Sequence, residues 1–415
     1  MIASSKQMKI YFDTLANNDS NQNKLATNSN TDYWLVAPGA PIKQKCINMK
    51  LDVSELTDVN EKGIYFVDVR GDPNWWAGVL TDPGVPHKHI LSYIPKKIRK
   101  LVKDKKIRLV INADREGGPM VTQHWDCFLS THNTIIDLGL PKDSVLILQG
   151  NKKIEHQYRR WRKYKGVDKM YDVMYSNHFG NIFGDENLPT SPVIKYAMAN
   201  PSSKDYNSLN RIYRPQRGAH LYRLMKDGFL SNGIVSGNEI TLRDKDTENL
   251  VGDYEDITKE FPKFIDGDWS KTNAANQYNV DIYKNSLLTV ITETIFLHDV
   301  GFITEKIFKP ITMGHPLVLF ASQGTLRCLE QMGFRTDWCG IDPAYNDIED
   351  NLKRFNATQQ VINDWIKLKQ EEKIARLEKS MDTIQHNFDL IRRSDFYADA
   401  IHEAVARTEK YYETV

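Results

Sequence analysis

The chain lacks any apolar run near the roughly 20 residues that a membrane-spanning helix needs. Its first residues, MIASSKQMKIYFDTLANNDSNQNK, hold no apolar core of signal-peptide length. A soluble, intracellular protein with no membrane partner is the expectation. Cysteine is scarce: Cys46, Cys127, Cys328 and Cys339 are far apart and form no C-x-x-C pair, which argues against a disulfide framework and against a cysteine-ligated zinc site. Absent too are the phosphate-cradling G-x-x-x-x-G-K run and a G-x-G-x-x-G turn after a strand. Neither a P-loop nucleotidase nor the usual dinucleotide fingerprint is indicated. No repeat of fixed period is found, which argues against solenoids and propellers.

What is present is an ordinary globular composition, 40% hydrophobic and 26% charged, over 415 residues, a length too great for one core. The net charge of +1 conceals an asymmetry: residues 1 to 190 carry 27 Lys and Arg against 21 Asp and Glu, and residues 191 to 415 carry 28 against 33. A basic first half suits a polyanionic partner.

Residues 14 to 32, rich in Asn, Ser, Thr and Asp, read as a surface loop or linker. Beyond them, short apolar runs alternate with helical patterns. GIYFVDV at 63 to 69, IRLVINA at 107 to 113 and SVLILQG at 144 to 150 have the continuous apolar character of strands buried on both faces of a parallel sheet. Between the last two, Trp125, Phe128, Leu129, Ile135, Ile136 and Leu138 predict a crossover helix ending near Gly139. A second series follows: a helical stretch within 209 to 230, a strand at 286 to 294, a helix at 303 to 313, a strand at 316 to 322 and a further helix from Gly324. After about residue 346 the pattern is helical and highly charged. The expected fold class is α/β, two doubly wound Rossmann-like domains facing a cleft, with a helical C-terminal segment. The expected boundaries are 1–190 for an acceptor-binding domain, 191–345 for a donor-binding domain, and 346–415 for helices bracing both.

The stretch GFITEKIFKPITMGHPLVLF at 301 to 320 sets Glu305 beside Lys306 where a loop becomes a helix. In open α/β folds ligands lie beyond the carboxyl ends of strands, where helix N-termini point free amides outward. Lys306 adds a full positive charge there, suited to a diphosphate, and Glu305 can take two hydroxyls of a ribose or sugar. A nucleotide-sugar is anionic in its middle and hydroxyl-rich at both ends. Thr304, Glu305 and Lys306 also make an ordinary dipole-matched first turn with a solvated lysine. Pro310, inside the helical pattern, predicts a short or kinked helix. Upstream, LNRIYRPQRGAHLYR at 209 to 223 holds Arg211, Arg214, Arg217 and Arg223. These are planar forks able to clamp a diphosphate from the opposite side, or simply a basic surface. In the first half, LVINADREGGP places Asp114 and Glu116 just past a buried strand. A carboxylate there, facing the cleft, can accept a proton from an attacking hydroxyl, although structural acids also follow strands.

Two basic runs stand in the first half. Residues 96 to 108, beginning with Lys96 and Lys97, have eight Lys or Arg in thirteen, and residues 152 to 165, including Arg159, Arg160, Trp161 and Arg162, have seven in fourteen. Such cations suit phosphates and interleaved aromatics can stack on bases, while the same patterns also fit solvated faces of amphipathic helices. His87-Lys88-His89 reads as a loop feature. Asp244-Lys245-Asp246 and Asp266-Gly267-Asp268 are triplets that arise often by chance, and no metal is assigned.

Taken in order, these segments resemble a known pattern. The run from Ile291 to Leu319 resembles the donor-binding segment of the α-1,3-fucosyltransferases, LNRIYRPQRGAHLYRLM resembles their upstream Asn and Arg segment, and REGGP is similar to the turn carrying their base. The chain also resembles a group of bacteriophage proteins sharing T-E-K-I-x-K-P-I, L-N-R and G-F-x-T, here at 333 to 336. The resemblance implies a GT-B glycosyltransferase, inverting, needing no metal or other cofactor beyond its nucleotide-sugar donor. Carried onto this sequence, it implies Glu116 as base, with Asp114 beside it. Arg217 and Lys306 would be diphosphate ligands and Glu305 the hydroxyl ligand, with Asn210, Arg211, Glu293 and Thr304 in the donor site. Where the fucosyltransferases usually have Asn and Ser after the strand-end Glu, this chain has Thr294 and Ile295, which leaves the sugar open. With the basic runs as acceptor-binding residues, the expected acceptor is a hydroxymethylated pyrimidine in phage DNA, in the cytoplasm of the infected host. A glycan or lipopolysaccharide acceptor, or a non-catalytic DNA-binding protein on a transferase fold, are the alternatives.

Overall fold

The computed structural model describes residues 8–12, 40–55, 61–69, 73–79, 81–82, 85–86, 88–114, 117–177, 179, 188–237, 245–252 and 279–415. The chain forms two compact units, Met1–His178 with Phe396–Val415, and Phe179–Asp395. The division near 190 thus falls at 178, and the C-terminal segment is shared out: its last helix, Phe396–Thr414, belongs to the first unit and the helices before it to the second. The Asn-rich stretch 14 to 32 lies outside the described residues.

In the first unit, β1 (Lys9–Phe12), β2 (Asp52–Glu55), β3 (Gly63–Asp68), β6 (Ile107–Ala113), β7 (Val145–Gln149) and β8 (Asp172–Tyr175) make a parallel sheet in the order β2-β1-β3-β6-β7-β8. A two-residue antiparallel pair, β4 (Thr81–Asp82) and β5 (Val85–Pro86), stands apart from it. The three apolar runs are β3, β6 and β7, and β6 and β7 are buried along their whole length. Alternate residues serve opposite faces. Leu109, Ile111, Val145 and Ile147 pack against Ile98 and Val102 of α1 (Lys96–Lys103), Phe128 and Ile135 of α2 (Cys127–Asp137), and Tyr158 and Trp161 of α3 (Ile154–Lys165). Val110, Leu146, Leu148, Ile64 and Phe66 face the other way, against Tyr397, Ala400, Ile401 and Ala404 of the C-terminal helix. Arg108, buried within β6, fixes that helix. It donates to the carbonyls of Arg407 (2.9 Å) and Asp143 (2.9 Å) and pairs with the Asp172 carboxylate, its guanidinium 5.1 Å from the Tyr411 ring centroid.

In the second unit, β9 (Tyr206–Asn210), β10 (Gly233–Gly237), β11 (Thr289–Thr292) and β12 (Leu317–Phe320) are all parallel, in the order β10-β9-β11-β12. Helices α4 (Pro215–Lys226), α5 (Glu305–Thr312), α6 (Asn351–Lys367) and α7 (Met381–Arg393) pack around it. Phe320 of β12 lies 5.1 Å from Phe355 of α6, and His220 of α4 is bonded to Gln359 of α6 (2.9 Å). As Pro310 predicts, α5 is short, eight residues. It ends on Gly314 at φ 61, with His315 N donating to the Pro310 carbonyl at 2.9 Å. A side chain at 314 would have to adopt a left-handed backbone and would press on Pro192, so the helix stop requires glycine.

Three of the buried histidines are held neutral by desolvation: burial lowers His89 to about 3, and His220 and His315 to about 4. An unfolded chain takes up these protons as pH falls through the ordinary value near 6.5, whereas the folded chain does not until it falls far lower. The stability they leave intact above about pH 7 is therefore lost as pH falls below 6.5, by up to about 1.4 kcal/mol per pH unit for each histidine. Glu293, whose carboxyl burial raises, works in the opposite sense. Urea midpoints at pH 7.5, 6.0 and 5.0 should fall steadily; a midpoint unchanged across that span would contradict the buried neutral imidazoles.

Candidate active site

The strand order of the second sheet reverses between β9 and β11: β10 lies to one side of β9, β11 and β12 to the other. At such a point the loops leaving two neighbouring strands diverge, and the crevice beyond their carboxyl ends is where open α/β sheets bind ligands. β9 ends on Asn210 and β11 on Thr292. Thr292 donates through its hydroxyl to the Asn210 side-chain oxygen, and the Asn210 amide donates to Ser208 Oγ (3.1 Å) and the Ser236 carbonyl (3.4 Å). Asn210 thus ties three strand ends together and spends its polar atoms within the fold.

The next residue, Glu293, is 1% exposed and its carboxylate is fully engaged. Oε2 accepts from Thr294 N (2.9 Å), and Oε1 accepts from Thr304 N (3.1 Å) and the Thr304 hydroxyl (2.8 Å). Its backbone carbonyl accepts from Gln216 of α4. The loop leaving β11 is therefore closed at its neck by one side chain, and the neck delivers Thr304 to the N-cap of α5. Thr304 Oγ1 accepts from Lys306 N at 3.3 Å, as a capping threonine should. Burial pushes the Glu293 carboxyl above its ordinary range, with Glu305 adding to the shift and Lys306 and the hydrogen bonds opposing it.

In the first turn of α5, Lys306 Nζ donates to Glu305 Oε1 (2.8 Å), Thr304 Oγ1 (3.2 Å) and Thr294 Oγ1 (3.3 Å). The pair is the accessible part of the cluster, with the Lys306 side chain 31% exposed and that of Glu305 16%. Burial would raise the Glu305 carboxyl, but the attraction and hydrogen bond of Lys306, with Lys309, hold it below its ordinary value. Arg217 lies behind. Its guanidinium donates to the Thr292 carbonyl (3.1 Å), the Thr292 hydroxyl (3.2 Å) and the Ile212 carbonyl (2.5 Å), and burial, then Arg214, bring it down to about 10. Arg211 is exposed on the loop between β9 and α4.

The rest of the loop is pinned from α6. Arg354, 1% exposed, donates to the carbonyls of Phe296 (2.8 Å), Ala321 (3.1 Å), Ile348 (2.8 Å) and Glu349 (3.1 Å), with its guanidinium 4.6 Å from the Phe296 ring centroid. Sequence reasoning picks out Asn210, Arg217, Glu293, Thr304, Glu305 and Lys306, and these lie together at one end of the sheet. It misses Gln216, Thr292, Thr294 and Arg354, which hold the others in place. Only Gln216, beside Arg217 in the first turn of α4, carries a signal that position could reveal.

In the first unit, Asp114 follows β6, is 1% exposed and accepts from the Ser176 hydroxyl at 3.0 Å. Glu116 lies outside the described residues. Lys96 and Lys97 are exposed at the start of α1, and Arg159 and Arg160 are exposed on α3. Trp161 corrects the expectation of a stacking platform. It is 7% exposed, packs beside Phe128 and Tyr158, and its indole donates to Asp126 at 3.0 Å. The core takes it because positions 154, 158 and 161 form the inward stripe of α3. Arg162 lies 5.4 Å from the Tyr158 ring centroid. His89 caps the short helix Ile90–Tyr93 by accepting from Leu91 N at 3.1 Å, a loop feature as read. Among the described residues no three His, Cys, Asp or Glu side chains gather as a metal site, and no helix is long and apolar enough to cross a membrane. Asp244 and residues 266–268 lie outside the described residues.

No protein-family model and no curated protein sequence matches the chain. Among solved structures it is similar to trehalose-6-phosphate synthase, OtsA, at 9% identity, with 97% of this chain and 99% of that chain covered and a TM-score of 0.41.

Replacing Glu293 with alanine leaves one buried amide, one half-buried amide and a buried hydroxyl without their acceptor. The expected loss is about 3 kcal/mol or more of unfolding free energy, read from urea denaturation. A loss under about 1 kcal/mol, the ordinary net worth of one hydrogen bond, would contradict the central place given to this carboxylate.

Proposed function

We propose that the chain is a glycosyltransferase of GT-B type that moves a sugar from a nucleotide-sugar to an acceptor hydroxyl. The observation that carries this reading is the Glu305–Lys306 pair at the capped N-terminus of α5, beside Arg217, at the reversal point of the second sheet. A diphosphate meets helix amides and a cation there, and a carboxylate held ionised beside them accepts from ribose or sugar hydroxyls. The resemblance of the 291–319 and 209–225 segments to the fucosyltransferase donor site supports the same assignment.

In this reading the acceptor oxygen attacks the anomeric carbon while the bond to the diphosphate oxygen breaks. The bonding pair leaves with the nucleoside diphosphate, and the acceptor proton passes to Glu116. Lys306, the arginines and the α5 amides stabilise the charge that grows on the leaving group, the role a metal ion plays elsewhere, so no metal or other cofactor enters the scheme. The favoured acceptor is a hydroxymethylated pyrimidine of phage DNA, modified in the host cytoplasm. With Trp161 and Tyr158 in the core, α1 and α3 present to solvent Lys96, Lys97, Lys100, Lys103, Arg159, Arg160, Lys163 and Lys165, with the exposed ring of Tyr164 among them. Such a density of cations suits a phosphate backbone better than a neutral glycan, and the exposed Tyr164 offers a ring on which a base can stack.

The test is nucleoside mass spectrometry after incubation with hydroxymethylcytosine DNA and a mixture of nucleotide-sugars. A sugar mass on the modified nucleoside is expected, falling about a hundredfold in rate in Lys306→Ala, equivalent to roughly 3 kcal/mol of transition-state stabilisation, and lost in Glu116→Gln. Donor hydrolysis without DNA modification would transfer the acceptor to glycans; no turnover and no binding of any nucleotide-sugar would refute the reading. Apparent DNA affinity should also fall steeply with salt, because backbone contacts release counterions.

A further inference from the structure

We propose that the two arginines flanking the first turn of α4 have separate roles: Arg217 is a positioning residue, and Arg214 is the guanidinium that binds the diphosphate of the nucleotide ligand. This rests on the nucleotide-sugar reading of the site and departs from the assignment of Arg217 as the ligand.

Arg217 is 5% exposed, and each of its three guanidinium nitrogens already faces an oxygen of the fold. Nε lies 3.2 Å from the Thr292 hydroxyl, Nη2 3.1 Å from the Thr292 carbonyl and Nη1 2.5 Å from the Ile212 carbonyl. These partners belong to the end of β11 and the loop after β9, so the side chain is a forked staple across the reversal point. Turning it toward a ligand would strand two backbone carbonyls.

Arg214 is placed differently. As the N-cap of α4 it sits at the carboxyl edge of the sheet, three residues before Arg217 and so on the same side of the helix. It is half-buried, and its guanidinium makes one hydrogen bond among the described residues, from Nη1 to the carbonyl of its own neighbour Tyr213 at 3.2 Å. The remaining donors are left for a ligand. The acids nearest the cluster are already engaged: Glu293 holds Thr294 and Thr304, and Glu305 holds Lys306. Arg214 stands close enough to depress Arg217, an effect that Glu293 and Glu305, both already engaged, oppose. Like charges held together in this way are an unfavourable arrangement that a bound dianion relieves. A diphosphate is the anion for which an open, planar fork and the neighbouring lysine are shaped.

Lysine substitution separates the two roles. A ligand contact needs mainly charge, so Arg214→Lys should keep part of the affinity that Arg214→Gln loses. A staple needs the fork, so Arg217→Lys should fail as badly as Arg217→Gln. The experiment is calorimetric titration of the full chain and these four variants with uridine diphosphate, guanosine diphosphate and inorganic pyrophosphate, alongside their melting temperatures. We expect Arg214→Gln to bind about tenfold more weakly or worse, the worth of one charge-assisted hydrogen bond, with its melting temperature unchanged and a shallower salt dependence. Both Arg217 variants should melt lower. Should either fail to fold, the Arg214 pair alone decides. Arg214→Gln binding as tightly as the native chain, or Arg217→Lys restoring both binding and melting temperature, overturns the inference while leaving the nucleotide-sugar site standing. If the native chain binds none of the three anions, the inference and the reading beneath it fall together.

Discussion

One carboxylate with almost no access to water, that of Glu293, decides where the rest of the candidate site stands. Its amide donates to the Phe320 carbonyl of β12 at 2.9 Å, its carbonyl is held by Gln216 of α4, and its side chain holds both ends of the loop that runs into α5. Four elements are therefore referenced to one residue. Burying a carboxylate is expensive unless its lone pairs are satisfied, and that expense gives the arrangement its specificity. A loop that wandered from Thr294 and Thr304 would leave the charge unpaired in the interior, so competing conformations are disfavoured.

The consequence for chemistry is preorganisation. Thr304 caps α5 because Glu293 holds it, and the cap sets the direction in which Glu305 and Lys306 leave the helix. From the other side, Arg354 gathers the carbonyls of Phe296, Ala321, Ile348 and Glu349 around one guanidinium, so the middle of the loop is fixed as firmly as its neck. The ordering of these groups is completed on folding and is not charged against ligand binding. Lys306 donates to Glu305, Thr304 and Thr294, all within its own loop and turn, which keeps it near the place where a diphosphate would meet it.

Much of this was legible in the sequence where the physics is local. The apolar runs at 63–69, 107–113 and 144–150 are strands β3, β6 and β7 because burial on both faces makes their sequences largely apolar, the few polar side chains such as Arg108 being paired inside the fold. T-E-K marks the start of α5 because a capping threonine and a first-turn acid follow from unpaired amides and the helix dipole. What escaped is non-local. β9 reads YNSLN, and nothing in its own sequence shows that the Asn207 amide donates to Ser286 or that the Asn210 side-chain oxygen accepts from Thr292, residues roughly eighty positions away. Trp161 read as a stacking surface because the partners that bury it, Phe128 and Asp126, come from another helix and its cap. Arg217 was legible as important and illegible as a staple, since a guanidinium facing carbonyls and one facing phosphate have the same sequence context. The C-terminal helix covers a sheet whose strands were laid down hundreds of residues earlier, a pairing made by Arg108 and by the apolar face that β3, β6 and β7 share.

The central claim is that nucleotide-sugars bind at the carboxyl end of the second sheet, on groups that Glu293 holds in place. Its most direct test is hydrogen–deuterium exchange of the full chain with and without a saturating nucleotide-sugar mixture, read by peptide. Added protection confined in the second unit to residues 210–217 and 293–306 is the predicted result. Protection appearing elsewhere in that unit while those two segments exchange as in the free chain would contradict it.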